Sequence, residues 1–440
     1  ASHFGLNEAP RTIQSTMPPS RGSAALLLLL LVNARSRTAA GLLEPSSAPD
    51  LAEDGVPEDE CLSADTRLLQ MSHSMAEGVR EGKAFSQAMR AATGNTGNLC
   101  VAGRQMPELY VLGEEKAGTT SVSNDFMALG AIAAKQSNFS ERPWWHPLPA
   151  DRKLSRRTAI DLFKERHFFE DWLELYQPSS PTLEPAFLSQ LPACGKRREV
   201  VADFTPCNLA MTPMPDGATS SGRGYCHLVG TNLPYTNVPR MIRSLYRSSS
   251  PRIAFIVMLR QPLHRMHSAW YHARALHFEG VCTDCEAPSF AAALAASVSR
   301  YEQTPPKYDD WFWQSLPSLQ LPFWREEFDA GQFTVAGTLD YARFGIGPLC
   351  DELRRDFNID WACGTKRESS HANVHRHPPL SEEPISAELR ARIDRIFEAE
   401  THRLVGELTA MQSEGAWLFG FQGAAGSRGD VEAWLQRAWR

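Results

Sequence analysis

The sequence has no internal repeat, no strong excess of charge of either sign, and no apolar run of the roughly 20 residues that a membrane-spanning helix needs. Its 440 residues are 42% hydrophobic and carry a formal net charge of −6. A chain of this length and composition can bury a large core, as a globular α/β enzyme does. The weak negative charge gives no general attraction to nucleic acid, so we expect no nucleic-acid partner. An anionic ligand needs a local basic pocket.

The N-terminal residues 1–40 have the features of a leader. Met17, taken as a start, is followed by a basic flank at Arg21, a short apolar stretch at 24–32, and small residues suited to cleavage near Ala34 or Ala40. The stretch favours a cleaved signal peptide over a retained anchor, because it is too short to span a bilayer. The alternative is that this segment stays uncleaved and anchors the protein, and we expect membrane association only in that case. The leader predicts the secretory pathway, in the Golgi lumen.

The nine cysteines agree with an oxidising compartment. Cys350 and Cys363 flank a predicted helix and are predicted to pair. Cys282 and Cys285 have the spacing of zinc ligands or a redox pair, but no second CxxC follows. A local disulfide or a surface loop is therefore favoured over a metal site. Asn138 begins a single N-glycosylation sequon, which is a weak signal.

Changes in local composition along the chain predict its domain organisation. Residues 41–105 are rich in Pro, Ser, Ala and Gly and read as a stem or linker, residues 106–425 as the enzyme domain, and residues 426–440 as a C-terminal tail helix. Short, continuously apolar segments predict parallel strands covered on both faces. They are 109–113, 200–204, 253–259 and 333–337. Amphipathic segments predict helices at 119–134, 238–247, 262–277, 347–357 and 387–411, and residues 208–235 read as a long loop. This alternation predicts a parallel sheet whose site lies at the carboxyl ends of the strands.

The stretch "GEEKAGTT" follows the first predicted strand and has the chemistry of an anion-binding loop. Gly118 permits a tight turn, Thr119 or Thr120 begins a helix whose N-terminus favours an anion, and Lys116 adds a charge. In a nucleotide triphosphatase the lysine directly follows the last glycine. Here the lysine precedes it, which does not fit that class.

The order Lys116, Ala117, Gly118, Thr119, Thr120 after an apolar strand resembles the loop of the sulfotransferases. In that family the loop cradles the 5′-phosphosulfate of 3′-phosphoadenosine 5′-phosphosulfate (PAPS). The resemblance implies that these five residues bind the cosubstrate.

A second stretch, "LRQPLHRMHS", supports the same family. A predicted strand delivers Arg260, Pro262 begins a helix, and Ser268 lies two turns along it. The pattern resembles the sulfotransferase element that grips the 3′-phosphate of PAPS, which implies that role for Arg260 and Ser268. Gln261 stands where the family has Asp, a change that leaves the phosphate contacts in place.

A third stretch, "KERHFF", resembles a motif of the Golgi carbohydrate sulfotransferases, especially those acting on heparan-type chains. The resemblance implies that Glu165 is the base for the acceptor, that His167 assists or orients it, and that Lys164 contacts substrate or cosubstrate. Without the family, the same residues read as a charged patch before a Phe pair in the core.

Other positions depart from the family pattern. In "VVADFTPCNL", Phe204 replaces a lysine that some heparan enzymes place near the acceptor, and Asn208 replaces a tyrosine. Glu114 and Glu115 are acidic beside a loop for anions, and we expect them to point away from the sulfonate. The late stretch "GTKRESSHANVHRHPPL" resembles the loop that closes over the cosubstrate. Either Arg376 or Lys366 reaches the 3′-phosphate in that interpretation, with a solvated loop as the equal alternative.

Together the motifs predict an α/β protein with a P-loop-NTPase-like sulfotransferase fold, a central parallel sheet flanked by helices. They imply transfer of a sulfonyl group from PAPS to a carbohydrate hydroxyl or amine, on a polysaccharide or glycoprotein glycan, with no metal. One alternative is a non-catalytic glycan- or nucleotide-binding protein on the same fold. The other is a nucleotide kinase.

Overall fold

A six-stranded parallel sheet forms the centre of the fold. The computed structural model describes residues 97–134, 168–169, 183–215, 219–220, 237–275, 287–304, 306–308, 310–363 and 377–439. The strands are β1 Cys100–Val101, β2 Arg104–Gln105, β3 Leu109–Gly113, β4 Ile132–Ala133, β5 Val201–Asp203, β6 Thr219–Ser220, β7 Ala254–Leu259, β8 Lys307–Tyr308, β9 Phe333–Gly337 and β10 Trp417–Leu418. The order in the central sheet is β10-β9-β7-β3-β5-β4, and each neighbouring pair is parallel.

Helices cover both faces of this sheet. They are α1 Thr119–Leu129, α2 Leu183–Ser189, α3 Val238–Tyr246, α4 Pro262–Ala275, α5 Phe290–Tyr301, α6 Asp310–Trp313, α7 Leu321–Glu327, α8 Thr338–Phe344, α9 Gly347–Phe357, α10 Ala387–Ser413 and α11 Arg428–Trp439. Side chains alternate along a strand, so the central strands feed two separate cores. Tyr110 and Leu112 enter one, and Leu109 and Val111 the other. The predicted α/β class with a helix-flanked parallel sheet is confirmed.

The long apolar segments give the strands and helices that the sequence predicts, with changes at some ends. The helix predicted over 119–134 ends at Leu129, because Gly130 takes a left-handed conformation with φ 109° and residues 132–133 pair as β4. The long loop predicted over 208–235 is interrupted. Pro206–Ala210 is a short 3-10 helix that begins with proline, and Thr219–Ser220 pairs with β8.

Two disulfides join parts of the chain that lie outside the six-stranded sheet. Cys350 pairs with Cys363 across α9, which confirms the predicted pair, and Cys100 pairs with Cys194. Cys207 is also disulfide-bonded. These bonds agree with folding in an oxidising environment.

The C-terminal helix α11 packs into the fold. Val431, Trp434, Leu435 and Ala438 are buried, and the Trp434 indole Nε1 donates to the Phe419 carbonyl at 2.9 Å. Within the described ranges no helix is long and apolar enough to cross a membrane.

Candidate anion-binding site

The site lies where the chain leaves the carboxyl ends of neighbouring strands. β3 and β7 lie side by side at the centre of the sheet, so the residues that follow Gly113 and Leu259 meet at one edge. The Arg260 guanidinium donates to the Lys116 carbonyl oxygen at 2.9 Å. Two motifs that lie far apart in sequence are therefore joined by a direct contact.

The loop after β3 needs special backbone conformations. Lys116 has φ 65° and Gly118 has φ 91°, and the Ala117 amide donates to the Glu114 carbonyl at 3.1 Å to close the turn. Gly113 has φ 134°, and a Cβ built there would lie 2.2 Å from the Pro206 carbonyl oxygen. Glycine is therefore required at Gly113, where the backbone of the 3-10 helix approaches the end of β3.

The helix that follows β9 supplies a third support for the loop. Thr338, the first residue of α8, places its Oγ1 2.8 Å from the Ala117 carbonyl and 3.0 Å from the Leu259 carbonyl. This hydroxyl thereby connects the ends of β3, β7 and β9. The loop is held by hydrogen bonds from residues that follow β7 and β9, which is the kind of preorganisation that a tight anion site needs.

Helix α1 begins in this loop and directs its N-terminus to the same edge. Gly118 is the N-cap residue in a left-handed conformation, and the first turn has no acidic residue. Among the residues that the structure describes, no side chain caps the helix. The amides of Ser121 and Val122 donate back to the Gly118 carbonyl. Amides earlier in the turn have no intrahelical acceptor in an α-helix, and with the helix dipole they favour an anion.

The second motif begins at Arg260 and continues into α4. Burial, together with the nearby charge of Arg265, lowers the pKa of Arg260 from its ordinary value. Ser268 is half-buried, two turns along α4. No contact among the described residues joins Ser268 to Lys116 or Arg260.

Arg265 is a site residue to which the sequence analysis gave no role. It is fully buried and donates from Nε to Ser315 Oγ at 2.8 Å and from Nη1 to the Glu115 carbonyl at 3.2 Å, and from Nη2 to the Trp311 carbonyl. The hydrogen bond to the Glu115 carbonyl connects the loop to α4. Arg265 lies on the buried face of α4 together with Leu263 and Met266. The helical spacing of the apolar residues is the signal in the sequence that could have indicated this burial.

Glu114 lies between the loop and Arg260. Its Oε2 accepts a hydrogen bond from the Arg260 amide at 3.0 Å, and the side chain is buried. Burial raises the pKa of Glu114 to about 8, against the opposing effects of the Arg265 charge and the Arg260 amide. Glu115 is buried as well. Both acidic residues are thus inside the fold beside the loop.

Buried polar side chains lie at the end of β5 and just after it. Asp203 Oδ1 accepts from the Thr205 amide at 3.0 Å. Asp203 Oδ2 and both polar side-chain atoms of Asn208 are buried, and they have no hydrogen-bond partner in the part of the chain that the structure describes. Phe204, at the position of the family's lysine, is fully buried in the core. No cation therefore stands at that position.

A second cluster lies on α4 around Ser268. His267 Nε2 lies 3.1 Å from Glu383 Oε1, the Tyr271 hydroxyl donates to the same oxygen at 2.7 Å, and His377 stacks on Tyr271 at 5.1 Å. Burial lowers the pKa of His267, although its hydrogen bond with Glu383 opposes this. None of the sequence motifs predicts this cluster, which fixes the segment beginning at His377 against α4.

Several predicted residues lie outside the described ranges. They are Lys164, Glu165, His167, Lys366, Arg376, Asn138, Cys282 and Cys285. The Phe pair after the third motif is described: Phe168 and Phe169 are buried and pack on Phe187, with ring centroids 5.0 and 5.8 Å from it. Among the described residues, no group of three or more His, Cys, Asp or Glu has an arrangement that fits a metal ion.

Comparison with known proteins gives little beyond this geometry. No protein-family model and no curated protein sequence matches the chain. Among solved structures, it is similar to a sulfotransferase from Alicyclobacillus acidocaldarius, with 15% sequence identity and a TM-score of 0.37, over 68% of this chain and 95% of the other. Both values are too low for this likeness to indicate a function.

Proposed function

We propose that this protein is a PAPS-dependent sulfotransferase that acts on a carbohydrate acceptor in the secretory pathway. The observation that carries the proposal is the contact of Arg260 with the Lys116 carbonyl, because it unites two sequence motifs for the two phosphate groups of one nucleotide. Separate cations on adjacent strand ends suit a ligand with two anionic groups.

The residues present fit this cosubstrate. Lys116 and the amides at the start of α1 would hold the 5′-phosphosulfate, and Arg260 and Ser268 would hold the 3′-phosphate. Bound PAPS supplies the sulfonyl group and leaves as adenosine 3′,5′-bisphosphate. Lys116 would neutralise the charge that grows on the leaving phosphate oxygen, and the hydrogen bonds around Ala117 fix the loop in advance.

Acceptor activation is assigned from the family resemblance. Glu165 would remove the acceptor proton, with His167 orienting it and Lys164 contacting the ligands. Arg376 would add a cation to the 3′-phosphate. The fixed position of His377, which follows Arg376 directly and stacks on Tyr271 in the helix that carries Ser268, supports this last assignment.

The acceptor class rests on the same resemblance. A polysaccharide or glycoprotein glycan in the Golgi lumen agrees with the disulfides and with the leader sequence. The buried Phe204 removes a cation that some heparan enzymes use, so the particular sugar is not carried over from them.

A non-catalytic binding protein is the second candidate, and it is favoured by buried Phe204 and by the acidic pair beside the loop. It predicts binding of the bisphosphate without transfer. A nucleotide kinase remains a third candidate, and dependence on ATP and magnesium would identify it.

The test is transfer of radiolabelled sulfate from PAPS to a panel of desulfated glycosaminoglycans, galactans and tyrosine peptides. We expect label on one polysaccharide class. K116A and R260A are each expected to lower kcat/KM by about 10²- to 10³-fold, as the loss of a charged group at a transition state does. E165A is expected to abolish transfer while leaving bisphosphate binding in place.

R354A is the matched control, since it removes an exposed arginine paired with Asp351 on α9. Its activity should equal that of the wild type. Bisphosphate binding without transfer to any acceptor would favour the binding protein. The absence of both would overturn the proposal.

A further inference from the structure

The backbone of Glu114 is fixed on both sides. Its amide donates to the Met258 carbonyl of β7 at 2.6 Å, and its carbonyl accepts from the Ala117 amide at 3.1 Å. The residue thus connects the central strand β7 to the turn of residues 114–118, which we call the anion loop. Its side chain has little freedom to leave this position.

The two carboxyl oxygens of Glu114 have different surroundings. Oε2 accepts from the Arg260 amide, whereas Oε1 is buried and has no hydrogen-bond partner among the described residues. The residue is 2% exposed. A carboxylate accepts at both oxygens and is costly to bury with a single donor, whereas a neutral carboxylic acid is far less costly.

Charged groups of both signs face this carboxyl. Arg265 and Arg260 favour its ionised form, Glu400 of α10 disfavours it, and Glu115 and Lys116 are its neighbours along the chain. Desolvation outweighs the two arginines, which raises the pKa of Glu114 to about 8. Near neutral pH the group is therefore mainly a neutral acid.

We infer that Glu114 is a positioning residue that supports the anion loop in its protonated form, and that a phosphate-bearing ligand binds with uptake of a proton at this carboxyl. The identity of the ligand rests on the proposed function. The proton comes from solvent and adds to the carboxylate, and no other bond changes. Glu114 acts through the Arg260 backbone and the Ala117 turn, and need not touch the ligand itself.

Electrostatic linkage provides the mechanism. A dianion at Lys116 raises the cost of a negative charge on Glu114 two residues away, because like charges disfavour one another's ionised form. By reciprocity, a protonated Glu114 favours the anion. This explains how an acidic residue is compatible with a loop for phosphosulfate.

The first experiment measures the dissociation constant of adenosine 3′,5′-bisphosphate as a function of pH. If only the protonated form binds, a group with a pKa of about 8 weakens binding by about tenfold between about pH 7 and about pH 9. We expect this in the wild type, and a change below about threefold in E114Q, whose amide stays neutral. E115Q is the matched control, because it removes the same charge one residue along and should keep the wild-type dependence.

The second experiment needs no variant. Calorimetry of bisphosphate binding at about pH 8, in buffers of different ionisation enthalpy, should show uptake of roughly half a proton by the wild-type protein. This measurement decides the matter if E114Q fails to fold. Rescue of high-pH binding by E114Q, but not by E115Q, is a result that a purely structural role of Glu114 would not give.

The outcomes separate the two proposals. If the wild type binds the bisphosphate but E114Q shows the same tenfold weakening, or if no proton is taken up, the inference is overturned and the proposed function stands. If the wild type binds no bisphosphate at about pH 7, both are overturned.

Discussion

The burial of the Glu114 side chain makes the free energy of unfolding depend on pH. Folding raises its pKa from 4.5 to about 8 because the side chain is desolvated. Between these two values the folded chain retains a proton that the unfolded chain has lost. Stability therefore falls as pH rises through this window and levels off above about pH 8.

We expect the difference in unfolding free energy between wild type and E114Q to change with pH. The wild type should lose stability relative to E114Q by up to about 1.4 kcal/mol per pH unit between about pH 5 and about pH 8. Denaturant unfolding of both proteins at fixed pH values measures this. A constant difference across the window would contradict the assigned titration.

At the residue scale, the sequence motifs single out Lys116 and Arg260 but not the side chains that support them. Both residues were chosen because their motifs resemble sulfotransferase elements, and the structure brings the two motifs into contact where the parallel strands β3 and β7 end. The hydrogen bond of the Glu114 side chain was not predictable, because its donor, the Arg260 amide, lies 146 residues away in the sequence. Arg265 was part of a recognised pattern, yet its three backbone and hydroxyl partners come from other elements.

At the element scale, the long strands were predictable because both of their faces are buried. The bounds of β3 and β9 agree with the sequence prediction, and each strand is buried throughout. The two-residue strands β4 and β10 are too short for any periodicity to show. They form where the backbone reaches the edge of the existing sheet, which is a property of the fold and not of the local sequence.

The two described disulfides close chain segments of very different length, and this predicts a ranking. Cys350–Cys363 encloses a separation of 13 residues and Cys100–Cys194 one of 94. In the chain-entropy account, their loss costs about 3 and about 4.7 kcal/mol.

Denaturant unfolding of the double variants C350S/C363S and C100S/C194S measures both costs. We expect the second to be the larger. The reverse order would show that native packing, rather than the entropy of the unfolded chain, dominates their effect.

At the scale of the whole molecule, the C-terminal helix α11 reaches the end of β9 beside the site. A Cβ on Gly337 would lie 2.3 Å from the Ala438 Cβ and 3.0 Å from its Cα. Gly337 precedes Thr338, whose hydroxyl holds the Ala117 carbonyl. The packing of α11 is thereby connected to the anion loop.

G337A is expected to destabilise the protein by about 1–3 kcal/mol through overpacking and to weaken bisphosphate binding. G347A is the control, because its Cβ would have its nearest contact, the Cys363 carbonyl, at an ordinary 3.6 Å. Thermal unfolding and calorimetric titration of both variants provide the measurements. Unchanged binding in a destabilised G337A would show that α11 and the loop are independent.

The position of α11 late in the sequence also affects when the chain can complete its packing during synthesis. A ribosome delivers β3, β7 and β9 long before residues 428–439, so Gly337 and the neighbouring core stay uncovered until α11 leaves the exit tunnel. The buried face of α11 cannot dock earlier, so the packing around Gly337 is completed only after that helix has been synthesised. A chain released before residue 428 would expose the apolar surface that Trp434 and Leu435 cover, and such a surface is a site for chaperone binding and aggregation.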